Sequence, residues 1–116
     1  MIFALSEDFV KVADTKDIQP SRMKEVEVNG EKVCLANVEG KYYAIGNVCT
    51  HLGGPLAQGK LEGYEVQCPW HGSRFDIRTG KVVRPPAVRS EPTYEIKIEE
   101  EDDNILLKKR TNQDQS

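Results

Sequence analysis

The residues able to do chemistry are concentrated between Cys49 and His71. Both histidines of the chain, His51 and His71, and two of its three cysteines, Cys49 and Cys68, fall in that stretch. They form two groups, Cys49-Thr50-His51 and Cys68-Pro69-Trp70-His71, with sixteen residues between them. Thiolate and imidazole are good ligands for borderline-soft metals, so the pattern points to a metal centre held by two loops. Two chemistries fit such a donor set. One is a tetrahedral structural zinc, whose ligand pairs are ordinarily each of one type, Cys with Cys and His with His. The other is a two-iron, two-sulfide cluster in which two histidines replace two cysteines on one iron. Here each group holds one cysteine and one histidine. Each loop can then give its cysteine to one metal and its histidine to the other, which suits two irons better than one zinc.

The elements that position these loops read as short strands. Phe9 to Ala13 alternates weakly and predicts a first strand, and Asp14 to Pro20 a turn with about one helical turn. Met23 to Val28 alternates apolar and charged residues, the period of a strand with one buried face. Asn29-Gly30 is a strong hairpin signal, because both turn positions need positive φ. Lys32 to Val38 is the return strand, Glu39-Gly40-Lys41 a second turn, and Tyr42 to Ile45 a third strand that delivers the chain to Cys49. Tyr64 to Gln67 leads into Cys68 in the same way. Strands are expected at Arg74 to Ile77 and Lys81 to Val83, then a stiff segment at Arg84-Pro85-Pro86-Ala87, where neither proline can donate to a ladder. Thr93 to Ile98 and Asn104 to Lys108 form a last hairpin around the acidic turn Glu99 to Asp103. Cys34 sits among apolar strand residues and reads as core, not as a ligand.

Many short strands with regular turns predict an all-β, antiparallel sandwich or barrel. At 116 residues the chain is expected to be one domain. A cluster-binding subdomain of about 47–86 is expected to sit on a base formed by 1–46 and 87–110, with 111–116 as a polar tail. A net charge of -3 and no basic stripe argue against nucleic acid. The same charge fits a small acidic protein that docks on a basic patch of a partner. No apolar run is long enough to span a bilayer, and the N-terminus meets Glu7 and Asp8 too soon for a signal peptide. A cytoplasmic location with reduced thiols is expected, and an odd cysteine count argues against a disulfide framework.

The two groups with their flanks, Cys49-Thr50-His51-Leu52-Gly53 and Cys68-Pro69-Trp70-His71-Gly72-Ser73, resemble the two cluster-binding boxes of the Rieske iron–sulfur family. Phe75-Asp76, Thr79-Gly80 and the later Pro85-Pro86 extend the resemblance over the domain core. It implies one Rieske-type [2Fe-2S] cluster per chain, with Cys49 and Cys68 on the inner iron and His51 and His71 on the outer iron near solvent. Pro85 and Pro86 resemble the proline loop that covers the cluster. Two departures separate the chain from the high-potential respiratory members. Those carry a disulfide at the positions of Gly54 and Trp70, and a tyrosine that donates to a ligand sulfur at the position of Phe75. Ser73, a further donor, is kept, and Trp70 is expected to give the cluster hydrophobic cover.

The pattern is therefore similar to the soluble ferredoxin branch, as in the ferredoxin components of bacterial aromatic-ring dioxygenases. The resemblance implies an electron carrier and not an enzyme. Its electron would come from a flavoprotein NAD(P)H reductase and go to a terminal ring-hydroxylating oxygenase, both docking transiently at the His51/His71 edge. The other readings are the small subunit of an NAD(P)H nitrite reductase, which shares this fold and size, and a structural zinc module for protein interaction. With no donor at Phe75, the expected reduction potential is about -150 mV, the low end of the Rieske range.

Overall fold

The computed structural model describes residues 9–110; the expected polar tail at 111–116 and the first eight residues of the expected base lie outside them. Among the described residues ten strands form three antiparallel sheets. The first hairpin pair is β2 (Arg22–Val28) and β3 (Glu31–Val38), and β4 (Lys41–Gly46) completes the meander β2-β3-β4. The turns that join them are those the sequence demands. Asn29 and Gly30 have φ of 50° and 86°, and Glu39 and Gly40 have 55° and 91°. Two successive positive φ values match the twist of the flanking strands. Asn37 secures the second turn by accepting from the Gly40 N–H at 2.7 Å, while its amide donates to the Ile18 carbonyl at 2.8 Å.

The second sheet has the order β1-β10-β9, with β1 (Val10–Asp14), β9 (Tyr94–Glu99) and β10 (Asn104–Lys109). A single 3-10 turn, Thr15–Asp17, stands where about one helical turn is expected. In the β9–β10 hairpin Ile105 pairs with Ile98 and Leu107 with Ile96. A bridge between Ile45 and Thr93 joins this sheet to β4. The two sheets enclose a core of Ala13, Val26, Val28, Val33, Leu35, Ala44, Tyr94, Ile105 and Leu107, all buried.

The third sheet is β5 (Lys60–Glu62), β6 (Glu65–Gln67), β7 (Arg74–Asp76) and β8 (Val82–Arg84), in sequence order. It has a separate core, built from Leu56, Val66, Phe75, Ile77 and Ala87 together with Cys49 and Cys68. Strand β3 belongs to both cores. Its Val33 and Leu35 face the first, and its Cys34, Ala36 and Val38 face the second. Alternate side chains of a strand point to opposite faces, so a strand between two cores is buried on both, and its one polar residue there, Asn37, is hydrogen-bonded. This explains why β3 is buried at every position from Val33 to Val38. Cys34 is fully buried there, beside the Met23 sulfur at 3.5 Å, as a core residue.

Candidate metal centre

Each cysteine opens a tight loop, and the two loops are closed by the same hydrogen bonds. The Cys49 N–H donates to the Gly54 carbonyl at 2.8 Å, and the Gly53 N–H returns to the Cys49 carbonyl at 2.8 Å. The Cys68 N–H donates to the Ser73 carbonyl at 2.8 Å, and the Gly72 N–H returns to the Cys68 carbonyl at 3.2 Å. The residue before each loop end is a glycine with φ of 88° (Gly53) or 81° (Gly72). Only glycine adopts that conformation without steric cost. Sixteen residues apart in sequence, the two boxes are thus built on one backbone plan.

The donors lie at two levels. Cys49 and Cys68 are each 3% exposed and line the second core. His51 is half-buried and His71 exposed. Their rings stand 5.3 Å apart, centre to centre, at an interplanar angle of 84°. Burial pushes the Cys49 thiol up. The backbone N–H groups of His51 and Leu52 act the other way by donating to its sulfur, while the facing Cys68 side chain raises it further. All three cysteines are free thiols. Among the described residues no three His, Cys, Asp or Glu side chains converge as the ligands of a single ion would. Two buried sulfurs beneath two outer imidazoles, on matched loops, fit a group with two metal centres.

A strap ties the loops together. It follows β8 and contains the Pro85-Pro86 pair, joined by a cis peptide bond. The Ala87 N–H donates to the Ser73 hydroxyl oxygen at 2.9 Å, and the Thr50 hydroxyl donates to the Arg89 carbonyl at 2.7 Å. Ser73 is fully buried and accepts in this bond, so its own proton remains for another acceptor. Gly54 and Trp70 do face one another: a Cβ on Gly54 would stand 3.1 Å from the indole and 2.7 Å from the Cys68 sulfur. Trp70 covers less than the sequence suggests, since it is 55% exposed.

Phe75 is fully buried in the same core as the two cysteines. A Phe75→Tyr variant places a hydroxyl in that core, where a sulfur is the expected acceptor. A hydrogen bond that stabilises added negative charge raises a reduction potential, here on the order of tens of millivolts. Voltammetry of the two proteins checks this, and an unchanged or lower value in the variant contradicts it.

The sequence reading missed two supports. Asn47 accepts from the Ala57 N–H at 2.7 Å, donates to the Glu25 carboxylate at 3.0 Å, and offers its carbonyl to the Leu56 N–H at 2.8 Å. It is the post on which the first loop stands. Glu91 lies buried behind that loop and receives a hydrogen bond from the Thr50 N–H. Neither has a local signal, because the partners of both are distant in sequence.

A two-layer β base that presents matched Cys/His loops defines a Rieske-type iron–sulfur domain. Residues 8–95 match the family model described as "Rieske [2Fe-2S] domain", and the chain belongs to that family. The group its site carries is a Rieske-type [2Fe-2S] cluster. The chain is 39% identical to the ferredoxin component of the naphthalene 1,2-dioxygenase/salicylate 5-hydroxylase systems of Ralstonia sp., over 82% of this chain and 91% of that protein. It is 38% identical to Apoptosis-inducing factor 3 of Mus musculus over 85% of this chain, but spans only 16% of that longer protein. Among solved structures it superposes on a chain of the complex of reduced oxygenase and oxidised ferredoxin in carbazole 1,9a-dioxygenase. There the TM-score is 0.82 and the identity 26%, covering 91% of this chain and 99% of that one. The relatives that this chain matches nearly end to end in sequence are electron-carrier components, not catalytic subunits. A putative small subunit of NADPH nitrite reductase also superposes, with a TM-score of 0.70, 18% identity, and coverage of 89% and 98%; this likeness shows the fold alone. No helix among the described residues is long and apolar enough to cross a membrane.

Proposed function

We propose that the chain is a one-electron carrier in which Cys49 and Cys68 ligate the inner iron of the cluster and His51 and His71 the outer iron. The observation that carries this reading is the pairing of two buried sulfurs with two outer imidazoles on loops of one hydrogen-bonding plan. When bound, the cluster accepts and releases a single electron. The protein does the rest. The second core keeps water from the cysteine side, and the strap from Pro85 to Arg89 fastens the two loops to one another. The N–H groups of His51 and Leu52 donate to the Cys49 sulfur, which favours its thiolate form. The exposed imidazole edge is where the redox centre comes nearest to a partner.

A flavoprotein NAD(P)H reductase supplies the electron and a terminal ring-hydroxylating oxygenase receives it, in the cytoplasm. The near full-length match to dioxygenase ferredoxin components supports that placement over a nitrite reductase subunit, for which only the fold speaks. The spread of the donors, which do not converge on one ion, supports it over a structural zinc. The test is the spectrum of the purified protein. A coloured protein that gains an EPR signal on reduction by one electron is the expected result. A colourless, EPR-silent protein containing zinc overturns the reading.

A further inference from the structure

The end of the molecule that carries His51 and His71 is built from three segments: the first loop with its return to β5, the second loop, and the strap. Between residues 47 and 60 the one charged residue is Lys60. Between 68 and 73 there is none, and between 84 and 92 there are Arg84, Arg89 and Glu91. Glu91 is buried, at 4% exposure, so the charge that these three segments expose is positive. Arg84 and Arg89 are both exposed, and neither forms an ion pair among the described residues. The Thr50–Arg89 hydrogen bond fixes Arg89 beside the first loop, and Arg84 enters the strap beside the second.

The carboxylates that border these segments are engaged: Glu25 accepts from the Asn47 amide at 3.0 Å beneath the first loop. Glu62 and Glu65 are held by Arg74 at 2.8 and 3.1 Å. The acidic run Glu99 to Asp103 sits at the far end of β9, about 20 Å of strand from the Ile45–Thr93 bridge near the first loop. A chain of net charge -3 thus carries cations and no exposed carboxylate on the three segments of its redox edge. Around that edge large apolar side chains are open to solvent: Leu52, Trp70, Val48 and Val88. Bare apolar side chains rimmed by unpaired charges have the make-up of a transient protein interface.

We propose that this end docks an acid-rimmed protein: a partner whose own redox centre lies under an apolar patch bordered by carboxylates that meet Arg84 and Arg89. This is the reverse of what the net charge suggests, and it leaves the acidic run outside the interface. The proposal rests on the carrier reading above and specifies the chemistry of its partner. Charges around a contact patch act chiefly on the association rate and its salt dependence.

The test uses the reduced holoprotein and two haem proteins of opposite character as oxidants. One is cytochrome b5, whose haem edge is ringed by carboxylates, and the other cytochrome c, ringed by lysines. Stopped-flow rates are followed against ionic strength. With cytochrome b5 the wild-type rate should fall as salt rises. The Arg84→Glu/Arg89→Glu double variant should be slower at low salt by about tenfold and converge with wild type at high salt. With cytochrome c the double variant should be the faster at low salt. An Arg84→Gln/Arg89→Gln variant should fall between them, and unchanged EPR spectra and potentials show that the cluster is intact. A wild-type rate with cytochrome b5 that rises with salt, or a reversal that changes neither rate, overturns the proposal. Absence of any reducible chromophore overturns the carrier reading instead.

Discussion

Replacing Cys34 by alanine will leave the iron content and the EPR signal of the protein unchanged, whereas Cys49→Ala or Cys68→Ala will abolish both. All three thiols are buried and free, so burial does not tell them apart. Their place in the backbone does. Cys34 lies in the middle of β3, paired across to Glu25 and Ile45 as a ladder residue, with its sulfur against Met23. Burial pushes its thiol well up, which keeps it protonated and unfit as a ligand. Cys49 and Cys68 each begin a loop that turns back on itself. With the proposed ligand set, losing either sulfur would open one iron's coordination, and a cluster held by three protein ligands would be labile. The base core contains neither residue, so the ligand variants should retain their β-sheet signal in circular dichroism. Cys34→Ala should lower stability by about 1–2 kcal/mol through the small cavity it leaves. Iron analysis of the three variants decides the matter. Full iron in a Cys49 or Cys68 variant, or its loss with Cys34, would sink the ligand assignment.

The contrast between these cysteines is legible in the amino-acid sequence, because it rests on local pattern. Cys34 has strand neighbours, while Cys49 and Cys68 have a histidine within three residues and glycines just beyond. The meander is legible for the same reason: alternation marks β2, and Asn29-Gly30 dictates its turn. The structure moves strand ends by a residue or two, as with β7, which stops at Asp76 where Ile77 is the expected last residue. Strand β5 has no sequence signal. Its three residues follow Gly59 and are too few to show a period, and it exists because it can pair with β6. The short 3-10 turn at Leu56–Gln58 is likewise held from outside, by Asn47. Features whose partners lie far along the chain leave no mark in a short window of sequence. The Thr50–Arg89 tether and the seat of Glu91 both belong to that class. The site's donors are legible as residues, and their framework only as geometry.

Glu91 gives the second large expected effect. It is a carboxyl in the interior with one oxygen, Oε2, lacking any partner. The other oxygen, Oε1, lies 2.6 Å from where a Cβ on Gly46 would stand, so β4 closes on a glycine to make room for it. The Thr50 N–H is its hydrogen-bond donor, and the titratable neighbours facing it, Cys34 and Tyr94, offer no positive charge. Burial raises the carboxyl from its ordinary 4.5 to about 8. The sign of the consequence follows from linkage. Between those two values the folded protein holds a proton that the unfolded chain has released. Folding stability therefore falls as pH rises from 4.5 towards 8, and levels off above. This is opposite to Asp76, Glu31 and Glu62, whose ion pairs lower them and whose contribution is lost only in acid. A Glu91→Gln variant keeps the shape and cannot ionise. Its stability relative to wild type should climb with pH across this window, by on the order of 3 kcal/mol or about 10 °C in Tm. Taking the difference between the two holoproteins cancels every other group that titrates in both. Thermal unfolding at pH 5, 7 and 9 measures it. A difference independent of pH would mean that the buried carboxyl finds a compensating partner and stays ionised. A rising difference would identify Glu91 as the carboxyl that lowers stability on the alkaline side.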